Sequence, residues 1–322
     1  MLWLHRYSGL LASVSLILIA AGGFVTSTGS GLAVPDWPNT YGYFMFSFPM
    51  SKMVGGILYE HGHRLIASIT GIMTIGLAVW LNRVESRPWV RRLGWLAVVT
   101  VISQGLLGGI TVLFLLPTPI SVSHAGLAQL FFVLVVSIAV FTSPGWANWY
   151  GRNNATAIII AADQPLRSLV VALPPVVYIQ IIVGATMRHT GAGLAIPDFP
   201  LAFGHMIPPM WSTAIAIHFT HRVGAVIVTL IIAAVAMRVL ERHRTREEIV
   251  RPAWLLLALV VVQLTLGAWT VLSERHVVIN TAHVVTGALL FVTAVVLALR
   301  VHRDRFPDAM TAGPLVEAAV HA

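Results

Sequence analysis

Nearly uncharged apolar runs recur along the chain between short polar connections. A hydrocarbon core of roughly 30 Å takes about 20 apolar residues in a helix. Eight runs meet that length, at 8–28, 62–82, 93–115, 122–142, 167–187, 216–237, 252–272 and 279–299. Lipid offers no partner to an unpaired backbone amide, so runs this long predict helices that span the membrane. The first run follows only Met1 to Tyr7 and is too long for a cleaved signal sequence, so it is read as the first span.

The polar connections orient the spans. Arg83, Arg87, Arg91 and Arg92 lie between spans 2 and 3, and Arg238, Arg242, Arg244, Arg246 and Arg251 lie between spans 6 and 7. Arg300, Arg303 and Arg305 follow span 8, while Arg152 and Arg167 flank the connection from span 4 to span 5. The positive-inside rule puts these segments and both termini on the cytoplasmic side of a cell (inner) membrane. Connections 29–61, 116–121, 188–215 and 273–278 then face outward.

Composition agrees: 57% of the 322 residues are hydrophobic and 10% charged, with a mean hydropathy of +0.84, a balance foreign to soluble domains. The formal charge of +8 sits in alternate connections rather than in a contiguous basic stripe, which excludes nucleic acid as a partner and leaves membrane lipid. There is no cysteine, which excludes disulfides, thiolate metal sites, cysteine-ligated clusters and cysteine nucleophiles. Histidine remains as the candidate strong ligand.

The sequence also repeats. Thr28-Gly-Ser-Gly-Leu-Ala-Val-Pro-Asp36 returns as Thr190-Gly-Ala-Gly-Leu-Ala-Ile-Pro-Asp198, identical at seven of nine positions, and Trp37-Pro38 and Gly42 match Phe199-Pro200 and Gly204. Gln104, Leu107, Gly108, Thr111, Val112 and Leu113 recur as Gln263, Leu266, Gly267, Thr270, Val271 and Leu272. The fold class expected is therefore all-α, a polytopic protein whose eight transmembrane helices form two tandem pseudo-symmetric four-helix bundles. The division expected is an amino-terminal half at 1–146, a cytoplasmic linker at 147–166, a carboxy-terminal half at 167–303 and a cytoplasmic tail at 304–322. Two roles stand open for the repeated motif after spans 1 and 5, a structural cap or a lid over a ligand mouth.

Four histidines follow the repeat. His63, His124, His221 and His283 open spans 2, 4, 6 and 8, all of which run from outside to inside, so the four are expected at one depth near the outer boundary. Ionisable residues in membrane helices are costly and usually functional. Two inward imidazoles in one bundle can ligate the iron of a planar macrocycle from both faces. A zinc hydrolase would call for a third ligand and an activated water, so heme fits better than a bare metal. The halves differ where chemistry should differ: Glu60 stands three residues before His63, whereas His218 stands three before His221. At that spacing Glu60 and His63 share a helix face. Arg64 and Arg222 follow their histidines directly, and each is expected either to pair with a heme propionate or to snorkel toward water. His5, His243, His302 and His321 are expected as solvated cytoplasmic groups, His61, His189, His205 and His276 as residues in or beside the outer loops, and His218 is ambiguous between these readings.

The motif after span 1 with its Trp37-Pro38, the pattern Glu60-x-x-His63-Arg64, and the histidines in spans 4, 6 and 8 together resemble the heme A synthase family over nearly the whole chain. The resemblance implies oxidation of the C8 methyl of heme O to a formyl group, through a hydroxymethyl intermediate, to supply heme A to cytochrome oxidase. It implies a tightly bound heme B on His221 and His283, substrate heme O at His63 and His124, and a glutamate at Glu60 needed for activity. Heme O synthase and oxidase assembly factors are implied partners, and a homo-oligomer is compatible with such a chain. Some relatives carry cysteine pairs in the outer loops, and a thiol relay of that kind cannot operate here. Two rival readings of the same residues are a diheme membrane electron carrier, which would need no Glu60, and a heme transporter or chaperone, which would release its heme unmodified.

Overall fold

The computed structural model describes residues 2–147, 160 and 162–306. Eight long helices dominate it, each long and apolar enough to cross a membrane. They are α1 (Leu2–Ser27), α2 (Gly56–Val84), α3 (Pro88–Leu113), α4 (Thr118–Phe141), α5 (Gln164–His189), α6 (Thr213–Arg242), α7 (Glu247–Leu272) and α8 (Val277–Val301). No β-strand occurs among the described residues. All eight begin earlier than their apolar runs, because helix continues into polar residues after the hydrocarbon ends. The four histidines consequently sit six to eight residues inside their helices rather than opening them.

Helix α1 packs on α2 and α4, α2 on α3, and α3 on α4, and the same ring closes among α5, α6, α7 and α8. This packing is consistent with two tandem four-helix bundles. Each ring has its own buried cluster, one built around Leu4, Leu11, Leu77, Leu81 and Val135, the other around Leu166, Leu173, Ile232, Leu256 and Leu297. The rings meet where α1 and α4 pack on α5 and α8, through Phe132, Ala288 and Val292. Lipid supplies no hydrophobic drive between membrane helices, so close approach and hydrogen bonds hold such a seam. A Cβ at Gly23 of α1 would lie 2.9 Å from Thr281 Cγ2 of α8. Beside it, Arg188 donates to the Gly23 carbonyl at 2.9 Å and to Ser27 Oγ at 2.6 Å, and Ser27 Oγ lies 3.2 Å from Thr281 Oγ1.

The repeated motif ends α1 and α5 in the same way. After α1, Gly29 takes φ +67 while the Ser30 N–H reaches the Val25 carbonyl at 2.9 Å, and after α5 Gly191 takes φ +73. A glycine in the left-handed region is what this helix stop requires. The aspartate then builds a tight turn. Asp36 accepts the N–H groups of Tyr41 and Gly42 at 2.8 and 2.9 Å, and Asp198 accepts those of Phe203 and Gly204 at 2.7 and 2.8 Å. Although partial burial opposes it, the bonds from Gly42 and Tyr41 hold the Asp36 carboxyl below the usual range, and those from Gly204 and Phe203 do the same for Asp198. Both turns carry positive φ at their two central residues, Tyr41-Gly42 and Phe203-Gly204.

The opposite end of the bundle is latched by ion pairs rather than left to solvent. Arg87 pairs with Glu85 at 2.8 Å and donates to the Phe141 carbonyl, and Arg167 of α5 reaches Asp304 at 2.9 Å. Asp163, which caps α5, accepts from Arg238 at 2.9 Å and pairs with His243 at 2.8 Å. The expectation of solvated His243 and His302 is therefore corrected, since both are buried. His5 likewise lies within α1, with Nδ1 2.9 Å from the Ala139 carbonyl. Most of the expected linker at 147–166, Arg152 included, and the tail beyond 306 lie outside the described residues.

Candidate functional site

Each of the four histidines rests on a glycine of the preceding helix. A Cβ at Gly22 of α1 would lie 3.1 Å from His63 Cε1, at Gly108 of α3 3.2 Å from His124 Cε1, at Gly184 of α5 2.8 Å from His221 Cε1, and at Gly267 of α7 3.1 Å from His283 Cε1. Any side chain at these positions would push the imidazole away. The repeat could have exposed this device, because Gly22 and Gly184 share the loop motif's offset and Gly108 and Gly267 share the offset of the glutamine block.

Glutamines complete the setting. Gln180 donates from Nε2 to His221 Nδ1 at 3.1 Å and to its carbonyl at 2.7 Å, Gln263 Nε2 lies 3.3 Å from His283 Nε2, and Gln104 donates to the His124 carbonyl at 3.1 Å. Leu18 stands where Gln180 stands in the second half, so His63 lacks that amide. The Nδ1 atoms of His63, His124 and His283 are buried without a hydrogen-bond partner, a costly state that calls for an explanation such as a ligand. The rings of His221 and His283 stand edge-on to one another, with centroids 6.4 Å apart at 68°.

The motif loops close over these positions. Glu60 is 3% exposed. Its Oε2 accepts the Val34 N–H at 2.7 Å and its Oε1 accepts from Arg64 at 2.6 Å. Arg64 also donates to the carbonyls of Val34, Asp36 and Asn39. His218 replays the part of Glu60: it is 2% exposed, and its Nδ1 accepts the Ile196 N–H at 3.3 Å. Arg222 reaches the carbonyls of Ile196, Asp198 and Leu201. Both arginines, read from the sequence as propionate partners or snorkelling groups, are thus engaged with backbone of the motif loops. That role was illegible because loop carbonyls have no sequence signature.

Trp37 seats the first loop on the bundle. A Cβ at Gly109 would come within 2.4 Å of the Trp37 ring, directly beside the Gly108 that supports His124. In the second half the smaller Phe199 replaces Trp37, and the position matching Gly109 is Ala268. His61, set aside in the sequence as a loop-side group, is buried against Thr40 Oγ1 at 2.9 Å and the Phe48 ring.

An eight-span helical membrane protein with a duplicated, loop-covered pair of half-buried histidines is the class that fold and site define. Comparison with known families narrows it: the family model described as Cytochrome oxidase assembly protein (COX15-CtaA) matches residues 5–295, and the chain belongs to that family. Its similar relatives include the heme A synthase of Symbiobacterium thermophilum, 29% identical over 280 residues that cover 85% of this chain and 88% of the relative. The heme A synthase of Shouchella clausii is 28% identical over 301 residues, covering 92% and 97%. That of Halalkalibacterium halodurans is 28% identical over 303 residues, with the same coverage.

Proposed function

We propose that the chain is a heme A synthase, an oxidoreductase that converts the C8 methyl of heme O to a formyl group through a hydroxymethyl intermediate for cytochrome oxidase assembly. The observation that carries this reading is the break in symmetry beneath the loops. Two halves share histidines, supporting glycines and loop clamps, yet three residues before the helix histidine the first half holds its loop with a carboxylate, Glu60, and the second with an imidazole, His218. A symmetric electron carrier has no use for that difference.

The donor set fits a macrocyclic iron. An imidazole nitrogen sits about 2 Å from a first-row metal, and the ring centroid lies about 1 Å further back, so two imidazoles on one iron place their centroids about 6 Å apart. The 6.4 Å between His221 and His283 supports that role. Among the described residues no group of three or more His, Asp or Glu would hold a bare ion, which also favours a metal whose equatorial sites are already filled. His221 and His283 would hold heme B, which supplies one-electron transfer when bound.

In the first half, His63 and His124 bind substrate heme O, and Gly22 and Gly108 let their rings approach the helix walls. Trp37 and the motif loop cover the position and exclude water. A carboxylate offers about four acceptor sites, so Glu60 keeps capacity to take a proton from the reacting methyl group, or to orient a water, while Val34 and Arg64 fix it. Arg64, 2.6 Å from Glu60 Oε1, holds the carboxyl in position for that proton. We further propose that residues 1–146 form the substrate half and 167–303 the heme B half, in the cell membrane with both termini cytoplasmic. The arginine-rich connections at the end remote from the motif loops support that orientation.

The test is acid–acetone extraction and mass analysis of hemes from cells that express the chain together with a source of heme O. Heme A or its hydroxymethyl precursor is expected only with the intact chain. Recovery of unchanged heme O and heme B from folded protein would overturn the proposal.

A further inference from the structure

The two outer mouths differ in charge. Where the first half has Thr26, Ser27 and Leu116, the second has Arg188, His189 and Arg275. The backbone around these residues is duplicated: Leu115-Leu116 take φ +59 and +61, Glu274-Arg275 take φ +51 and +69. In each case the second N–H returns to a threonine carbonyl, Leu116 to Thr111 at 2.7 Å and Arg275 to Thr270 at 2.8 Å. The side chains land in the same place as well. A Cβ at Gly31 would lie 3.4 Å from Leu116 Cδ1, and one at the matching Gly193 would lie 3.8 Å from Arg275 Cδ. One seat on the motif loop thus holds an aliphatic residue in the first half and a guanidinium in the second.

Arg188 belongs to the same mouth. It follows Gly184, the glycine that seats His221, by four residues, so it occupies the same face of α5 about 6 Å nearer the motif-loop end. Both of its hydrogen bonds to α1, to the Gly23 carbonyl and Ser27 Oγ, come from Nη2, and a guanidinium carries five N–H donors. The exposed Glu274 is the acidic neighbour in this loop.

We propose that Arg188 and Arg275 form a carboxylate clamp at the mouth of the second site, gripping the propionates of the macrocycle held there, and that its absence from the first half lets the ligand of that half exchange. The proposal rests on the heme reading above. It gives the duplicated fold one retaining site and one releasing site by changing a few mouth residues around a common scaffold.

The experiment uses the full-length chain carrying His63→Ala, purified in detergent and loaded with either protoheme or its dimethyl ester, with transfer to apomyoglobin followed at the Soret band. Losing charge-assisted bonds to a carboxylate costs about tenfold in retention. Protoheme should therefore leave about tenfold more slowly than the ester, and Arg188→Gln or Arg275→Gln should narrow that gap to within about threefold. Arg275 is exposed, so its variant tests the clamp even if Arg188→Gln disturbs folding. Equal release of acid and ester, or a gap unchanged in the Arg275 and Arg188 variants, overturns the clamp while leaving heme binding intact. A chain that takes up neither porphyrin overturns the heme reading and the clamp together.

Discussion

Gly184→Ala is the sharpest probe of the histidine seats. The added methyl would stand 2.8 Å from His221 Cε1, so the imidazole or α5 must retreat by about 0.6 Å to reach ordinary contact. Well-packed interiors resist such insertions at a cost of about 1 to 3 kcal/mol, which corresponds to roughly 5- to 150-fold in affinity for whatever the ring ligates. The His221 and His283 centroids stand 6.4 Å apart, so on the proposed heme reading such a retreat would disturb their joint hold on the iron. We expect the purified variant to carry substoichiometric heme and to lose the low-spin bis-histidine signature in electron paramagnetic resonance, with its helical content unchanged. Gly22→Ala, Gly108→Ala and Gly267→Ala, whose methyl groups would stand 3.1 to 3.2 Å from their rings, should follow in the same direction more mildly. A Gly184→Ala protein with full heme occupancy and an unaltered spectrum would refute the idea that these glycines set the imidazoles.

Replacing Glu60 with alanine should abolish heme A formation in the extraction assay while heme B stays bound, and undiminished product would remove Glu60 from the mechanism. Gly109→Ala should lower stability by about 1 to 3 kcal/mol, because the rigid Trp37 ring, 2.4 Å from the added carbon, must shift. Adding Trp37→Phe, which copies the Phe199 and Ala268 combination of the second half, should recover most of the loss, and additive melting shifts would deny the coupling. Burial works against the Asp163 carboxylate, but hydrogen bonds from Arg238 and His243 bring it down to about 2. A depressed carboxyl contributes stability above its unfolded value near 4 and loses that contribution as pH falls toward 2. Asp163→Asn should accordingly lower the melting temperature at pH 6 and have little effect near pH 2, and a pH-independent difference would contradict the ion-pair account.

The eight helices were legible because lipid demands about 20 uninterrupted apolar residues of each. Their ends were not, since helix persists into polar segments such as Gly56 to His61 and Glu247 to Arg251 that no hydropathy window marks. The four histidines stood out as candidates through the duplication together with the cost of ionisable residues in membrane helices. What supports them was partly hidden: Gly108 and Gly267 stood inside a recognised repeat, but nothing in a sequence says that a glycine faces an imidazole on another helix. His218 was ambiguous for a similar reason, since its partner is the backbone N–H of Ile196. The buried state of His243 depended on Asp163, 80 residues away in the chain.

Adjacent residues of α1 meet different halves of the protein. Gly22 touches His63 of the first site, and Gly23 touches Thr281, two residues before His283 of the second. The two halves therefore meet across α1 at a point one helix thick, where glycine stands on both contacting faces. A side chain added at Gly22 would crowd the first histidine pair, and one added a residue later would crowd the helix that carries His283, so this stretch of α1 has no neutral face on which to grow.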